Sequence, residues 1–197
     1  MSANSDYINL YAQDMVDACY NTGLFPSVMM AQSILESAWG KSELASKYNN
    51  FFGIKCLCKN CACYLLGQNV SLPTMEEVNG QMVSQTASFR TYATPYDSFV
   101  DRVHFLKIEN PRYAKAGVFD AATPQDQADA LLAAGYATES DYANSLKDLI
   151  SKYNLEDLDA MQANTMRFTT NTLIFVGVGA VALSASIFLY FKFIKKK

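Results

Sequence analysis

From Leu173 to Phe191 the chain runs without a charged side chain, LIFVGVGAVALSASIFLYF, and is then closed by Lys192 and the cluster Lys195, Lys196 and Lys197. As a helix rising about 1.5 Å per residue, this stretch measures roughly 28 Å, close to the hydrocarbon thickness of a bilayer. Such a run with basic flanks reads as a single membrane-spanning helix, which divides the 197 residues into a body and an anchor. The expected boundaries are a body of 1–155, a juxtamembrane linker of 156–171, a span of 172–193 and a basic tail of 194–197. Small residues at Gly177, Gly179, Ala180, Ala182 and Ser184 would let two such helices approach, so self-association through the anchor is also expected.

Composition narrows what the body can do. Lys and Arg number 16 against 19 Asp and Glu, a net charge of −3, and with four lysines in the tail the body is more acidic than that figure. Phosphate backbones are neutralised by basic surfaces, so no nucleic-acid partner is expected. One His and five Cys cannot build a His-rich catalytic zinc centre, and neither a catalytic metal nor a cofactor is expected. The N-terminal MSANSDYINLYAQDM lacks a basic segment followed by an apolar one and does not read as a signal peptide. The terminal lysines are expected in the cytoplasm and the body on the opposite side, facing the cell wall, with the lipid bilayer as a partner.

Before residue 155 there is no internal repeat and no Pro/Gly/Ser-rich linker, so the body reads as one domain. Helical spacing of Tyr7, Leu10, Tyr11, Met15, Ala18 and Cys19 predicts a helix over about 5–20, and Pro26 opens a second, PSVMMAQSILESAW, that closes near Gly40. The second helix is apolar on nearly every side except at Gln32, Ser33, Glu36 and Ser37, and Gln32 and Glu36 form a stripe one turn apart. A carboxyl there is costly unless it is paired or faces a cavity. Partial burial raises its pKa towards the range of a general acid, which makes Glu36 the leading candidate for chemistry.

From 54 to 93 the residues become β-branched and aromatic, with turn signals at Lys59-Asn60 and Asn79-Gly80, which predicts a small antiparallel lobe. Helices resume at Thr94-Pro95, at Thr123-Pro124 and in SDYANSLKDLISKY. Helices around one small sheet make an α+β fold.

Cys56, Cys58, Cys61 and Cys63 are symmetric about Lys59-Asn60. If that pair turns a hairpin, Cys58 faces Cys61 and Cys56 faces Cys63 on one face of the ribbon. Two cross-strand disulfides and a four-thiolate zinc knuckle both fit this placement. The inner C-x-x-C suits zinc, whereas an extracytoplasmic location suits disulfides, the preferred reading. Cys19, on an apolar helix face, is expected in the core.

The stretch AQSILESAWGKSELASKYNNFFGIK, residues 31–55, resembles the signature of family 73 glycoside hydrolases, lysozyme-like β-N-acetylglucosaminidases that cut peptidoglycan glycan strands. TMEEVNG at 74–80, FRTYATPYDSFVDRVHFL at 89–106 and AAGYATESDYANSLKDLISKYNL at 133–155 follow in the order of that family. The resemblance implies a lysozyme-like fold and places the general acid on Glu36. It places the second acidic residue, in a T-x-E-x-x-x-G pattern, on Glu76 beside Glu77, and the active-site tyrosine of G-Y-A-T on Tyr136. Where members often carry Asp-His after the β-lobe, this chain has Asp101-Arg102 with His104 nearby, and His104 is given no catalytic role. Trp39, Phe52 and Tyr92 offer rings to stack on sugars, and Gln32 offers a polar contact.

The implied activity is hydrolysis of β-1,4 bonds in peptidoglycan. It needs a protonated carboxylic acid at the leaving oxygen and a second group that manages charge or water on the other face of the sugar. Glu36 suits the first role, and Glu76 or the substrate's own 2-acetamido group the second. A lytic transglycosylase shares this architecture but leaves an anhydro product, and a non-catalytic, wall-binding membrane protein is the alternative from another class. An anchored wall hydrolase without a signal peptide also fits a host-derived virion membrane, opening the wall during virus entry or release.

Overall fold

The computed structural model describes residues 3–56, 68–78 and 81–165. Its elements run α1 (Ala3–Cys19), α2 (Pro26–Ser37), α3 (Glu43–Tyr48), β1 (Asn69–Val78), β2 (Gln81–Arg90), α4 (Pro95–His104), a π-helical turn (Phe105–Glu109), α5 (Arg112–Lys115), α6 (Pro124–Ala133) and α7 (Tyr142–Lys152). The chain divides at Asp159 into a unit of Met1–Asp159 and a second unit that begins at Ala160. The boundary expected at 155 therefore moves outward, because 156–159 wind into helix and Leu158 is buried with Leu155 in the core. The described residues of the second unit, 160–165, are helical. The expected span of 172–193 and its basic tail lie outside the described residues, as do Cys58, Cys61 and Cys63. Among the described residues no helix is long and apolar enough to cross a membrane.

The first unit is organised around α2, against which α1, α6 and α7 pack, while α4 packs on α1. Val28, Met29, Met30 and Ile34 of α2 are buried in one cluster with Met15, Cys19, Leu131 and Leu146. Each such side chain stabilises the fold by roughly 1.5–3 kcal/mol, so the position of α2 is tightly set. Pro26 fixes the first helical φ, and the Ser27 N–H donates to Asp159 Oδ1 at 2.9 Å, a cap supplied from the end of the unit.

The helix stops at three successive left-handed residues, Ala38, Trp39 and Gly40, with φ of 51°, 61° and 72°. Left-handed backbone costs a non-glycine residue about 1–2 kcal/mol. Ser37 Oγ offsets part of that by accepting from the Gly40 N–H at 2.7 Å. The sharp stop leaves Glu36 in the last turn and swings Trp39 towards Tyr7 and Tyr153.

Among the described residues the expected lobe is an antiparallel hairpin, paired from Asn69↔Arg90 to Val78↔Gln81. Its base joins the loop after α3 through the Lys55↔Phe89 bridge and the bond from the Arg90 N–H to the Ile54 carbonyl at 3.0 Å. Cys56, buried here, is disulfide-bonded, and its partner lies outside the described residues. A sulfur so committed is not a thiolate ligand for zinc.

A buried ionic knot fastens the base of the hairpin to α4 and the π-turn. Arg90 Nη1 lies 2.8 Å from Asp101 Oδ2, Nη2 lies 2.6 Å from Glu109 Oε2, and Tyr92 Oη donates to Asp101 Oδ2 at 2.6 Å. Tyr92 is thus turned into the knot, which corrects the expectation that it meets sugar. The start of α4 follows the sequence reading, since Thr94 and Asp97 form a reciprocal capping box behind Pro95. Its end does not, because the π-turn interrupts the regular helix and brings Glu109 onto Arg90 and, at 3.1 Å, onto His104.

Candidate active site

Glu36 stands where two hollows meet. The larger, of about 890 Å³, is walled by Phe52, Lys55, Arg112, Tyr136, Glu139 and Tyr142 among others. The smaller, of about 390 Å³, lies between Glu43, Leu44 and Asn50 and the hairpin residues Leu72, Thr74 and Phe89. Glu36 and Gly53 line both, so one groove crosses the acid with helices on one side and the hairpin on the other.

Tyr142 Oη donates to Glu36 Oε1 at 3.4 Å and accepts from Gln32 Nε2 at 2.6 Å. Burial pushes the Glu36 carboxyl above the ordinary carboxylate range. The Tyr142 hydrogen bond and the Arg102 charge pull it down, and Glu139 adds to the rise. Glu36 still reaches water through the groove. A carboxyl that holds its proton to higher pH than usual, opens to solvent and has a donor waiting for its anion is equipped to act as a general acid.

Tyr136 stacks on Tyr142 with ring centres 5.5 Å apart and leans on Tyr113 at 6.1 Å. Burial, reinforced by Glu36, raises the hydroxyl pKa of Tyr136 and of Tyr142, so both remain protonated donors at working pH. Arg102, on α4, hydrogen-bonds to Tyr136 and lays its guanidinium 5.2 Å from the centre of the Phe52 ring.

Of the residues singled out from sequence, the fold brings Glu36, Tyr136 and Phe52 to one groove. Gln32, Trp39 and Tyr92 lie elsewhere. Gln32 is fully buried and its amide serves Tyr142, which corrects the expectation that it touches substrate. Trp39 lines neither hollow. It packs edge-on against Tyr7 at 5.7 Å and Tyr153 at 5.0 Å, which corrects its assignment to sugar stacking. Glu76 lies on β1 opposite Val83, and its side chain is outside the described residues.

Sequence reading missed Tyr142 and Arg102. Each left a trace: Tyr142 heads the buried stripe Tyr142, Leu146, Ile150 of α7, and Arg102 falls in the stripe of Phe99 and Leu106, where a charge is out of place. Asp101, His104 and Glu109 offer ligand atoms within 4.8 Å of one another, but the Arg90 guanidinium already occupies both carboxylates.

Residues 12–155 match the glucosaminidase family, described as mannosyl-glycoprotein endo-β-N-acetylglucosaminidase. A probable N-acetylmuramidase of Lactococcus lactis subsp. cremoris is 43% identical over 153 residues, covering 75% of this chain and 32% of that protein. The exo-glucosaminidase LytG of Bacillus subtilis is 34% identical, covering 77% of this chain and 52% of that protein. The chain thus spans about a third of the first of these curated relatives and about half of the second. Among solved structures, the catalytic domain of the autolysin Auto from Listeria monocytogenes superposes with a TM-score of 0.69 at 32% identity, covering 80% of this chain and 88% of that domain. The mainly helical body with its antiparallel hairpin, the acid at the groove and these matches together show that the chain belongs to the glucosaminidase family, the family 73 glycoside hydrolases.

Proposed function

We propose that the chain hydrolyses the β-1,4 glycan bonds of peptidoglycan, cutting after N-acetylglucosamine, with Glu36 as the general acid. The observation that carries this reading is the position of Glu36: one groove runs past it on both sides, as an extended sugar chain requires, and desolvation raises its carboxyl above the ordinary range. In the reaction Glu36 gives that proton to the glycosidic oxygen as the bond to the anomeric carbon breaks. Tyr136 and Tyr142 supply neutral donors at the same wall.

The second carboxylate is Glu76. What supports it is its place in the T-x-E-x-x-x-G pattern, on the strand whose Leu72, Pro73 and Thr74 line the groove. With Glu76 less important, the substrate's 2-acetamido group takes that role. The names of the relatives, probable muramidase and exo-glucosaminidase, support wall glycan as the substrate and differ over the bond.

The test is clearing of peptidoglycan by the wild type and by Glu36→Gln, with thermal unfolding of both. Loss of clearing at unchanged stability is expected, and clearing by the variant would remove Glu36 from the mechanism. Mass spectra of the products should show reducing N-acetylglucosamine ends. Reducing muramic ends would reassign the bond, and anhydro-muramic ends would make the enzyme a lytic transglycosylase.

The same proposal places the body on the wall side of a bilayer, held by the 172–193 span, in a cell membrane or in a virion membrane drawn from the host. The uncharged run and its lysine flank support it. Protease added to intact spheroplasts should digest the body and spare a tagged C-terminus. Protection of the body would reverse the orientation.

A further inference from the structure

Arg102 is a cation sealed in the core behind the acid. It is 1% exposed, and its guanidinium covers the inner face of Phe52, the ring that lines the groove beside Glu36. Among the described residues it makes no ion pair, since Asp101 and Glu109 are both held by Arg90. Its Nε and Nη1 have no hydrogen-bond acceptor, and the polar group that it does engage is the Tyr136 hydroxyl. A buried charge left this way is among the costliest arrangements in a protein, unless it compensates a charge that appears nearby.

The groups that face Glu36 identify that charge. From α7 comes Tyr142, from the loop before it Tyr136, Glu139 and Asp141, and across the groove Lys55 and Arg112. The tyrosines are neutral, and Glu139 and Asp141 are acids. Lys55 and Arg112 stand at the groove wall in contact with water, which screens them. Arg102 sits behind Phe52, a wall of the hollow that Glu36 lines, and from there its charge lowers the pKa of the Glu36 carboxyl. The Arg102 charge also acts on the Cys19 thiol, which burial pushes up to about 12.

We propose that Arg102 is the positioning residue of the acid: its buried charge stabilises the carboxylate that Glu36 becomes on giving up its proton. This rests on Glu36 being the general acid. As the Glu36 O–H bond breaks, the proton forms a new O–H bond on the leaving sugar oxygen, which takes the electron pair of the glycosidic bond. Glu36 is left with the negative charge, and Arg102 is already in place for it. Its bond to Tyr136 and its stacking on Phe52 hold it there without any contact to substrate.

The test compares pH profiles of hydrolysis for the wild type, Arg102→Gln and Arg102→Lys. Without the cation the acid is weaker and holds its proton longer. For Arg102→Gln, kcat should therefore fall about tenfold, KM should stay constant, and the alkaline limb should move up by about one pH unit. Arg102→Lys should leave the limb in place. A folded Arg102→Gln enzyme with the wild-type limb overturns the proposal. A second measurement needs no change at Arg102: the side-chain Nε resonance of Arg102 should titrate with Glu36 in the wild type and cease to do so in Glu36→Gln. A wild-type resonance indifferent to pH overturns the proposal too. An active Glu36→Gln enzyme would instead bring down the assignment of the acid. An inactive one with an unmoved limb in Arg102→Gln brings down only the role of Arg102.

Discussion

The Tyr142 hydroxyl lies 3.4 Å from Glu36 Oε1, at the edge of hydrogen-bonding distance, while Gln32 Nε2 grips the same hydroxyl at 2.6 Å. The inner bond orients the phenol from the core. The loose outer bond lets the carboxyl turn to a glycosidic oxygen and return to a donor once it is charged.

Tyr142→Phe keeps the stack on Tyr136 and deletes this relay. With one donor to its anion gone, Glu36 should hold its proton to higher pH, so the alkaline limb of kcat should rise and kcat should fall roughly two- to tenfold. Gln32 Nε2 is left buried without its acceptor, at a cost of about 1–3 kcal/mol in urea unfolding. An unchanged limb would mean that the hydroxyl does not serve the acid.

The Arg90 knot makes a prediction about stability alone. Asp101→Ala removes one of the two carboxylates that hold the buried Arg90 guanidinium, and the acceptor of Tyr92, so unfolding in denaturant should lose about 3 kcal/mol. In the same knot burial pushes Glu109 up, but the hydrogen bonds and charge of Arg90, and then His104, hold its carboxyl below the usual range. A depressed acid contributes stability above its unfolded pKa and loses it as pH falls through the folded value. Glu109→Gln should therefore flatten the acid side of a melting-temperature profile.

Asp159 has the opposite sign. Burial, opposed by the bond from Ser27, raises its pKa from 3.8 to about 6. Its stabilising, protonated form is complete below 3.8 and is lost as pH rises through 6. Asp159→Asn keeps an acceptor for the Ser27 N–H and removes the buried charge. It should stabilise the protein by on the order of 1–2 kcal/mol at pH near 7.5 and hardly at all near 4, read by thermal unfolding at both.

The cysteines give a chemical count. The Cys19 thiol is fully buried and pushed up to about 12, so it should resist alkylation in the folded protein. After denaturation without reductant, intact mass should show one label if Cys56, Cys58, Cys61 and Cys63 are paired. Five labels, together with bound zinc before denaturation, would favour the thiolate knuckle.

What could be read in advance was what the chain decides locally. The capping box of Thr94 and Asp97 and the prolines at 95 and 124 act within a turn, and they mark the starts of α4 and α6 in the sequence itself. Glu36 was legible because a carboxyl on a helix apolar all round stands out. Gln32 obeyed the same rule and was misjudged, since polarity one turn from the acid does not say whether it faces the groove or the core. Tyr142, Arg102 and the π-turn were hidden for a related reason: each is fixed by a partner far along the chain, Gln32 for the first, Phe52 and Tyr136 for the second, Arg90 for the third.

The bond between Ser27 and Asp159 joins positions 132 apart in the chain. The helix that carries Glu36 thus depends for its first turn on a residue from the far end of the unit. Contacts so distant in sequence form late, after shorter loops have closed. A fragment ended at residue 155 would therefore carry Glu36 on a helix with its first turn uncapped.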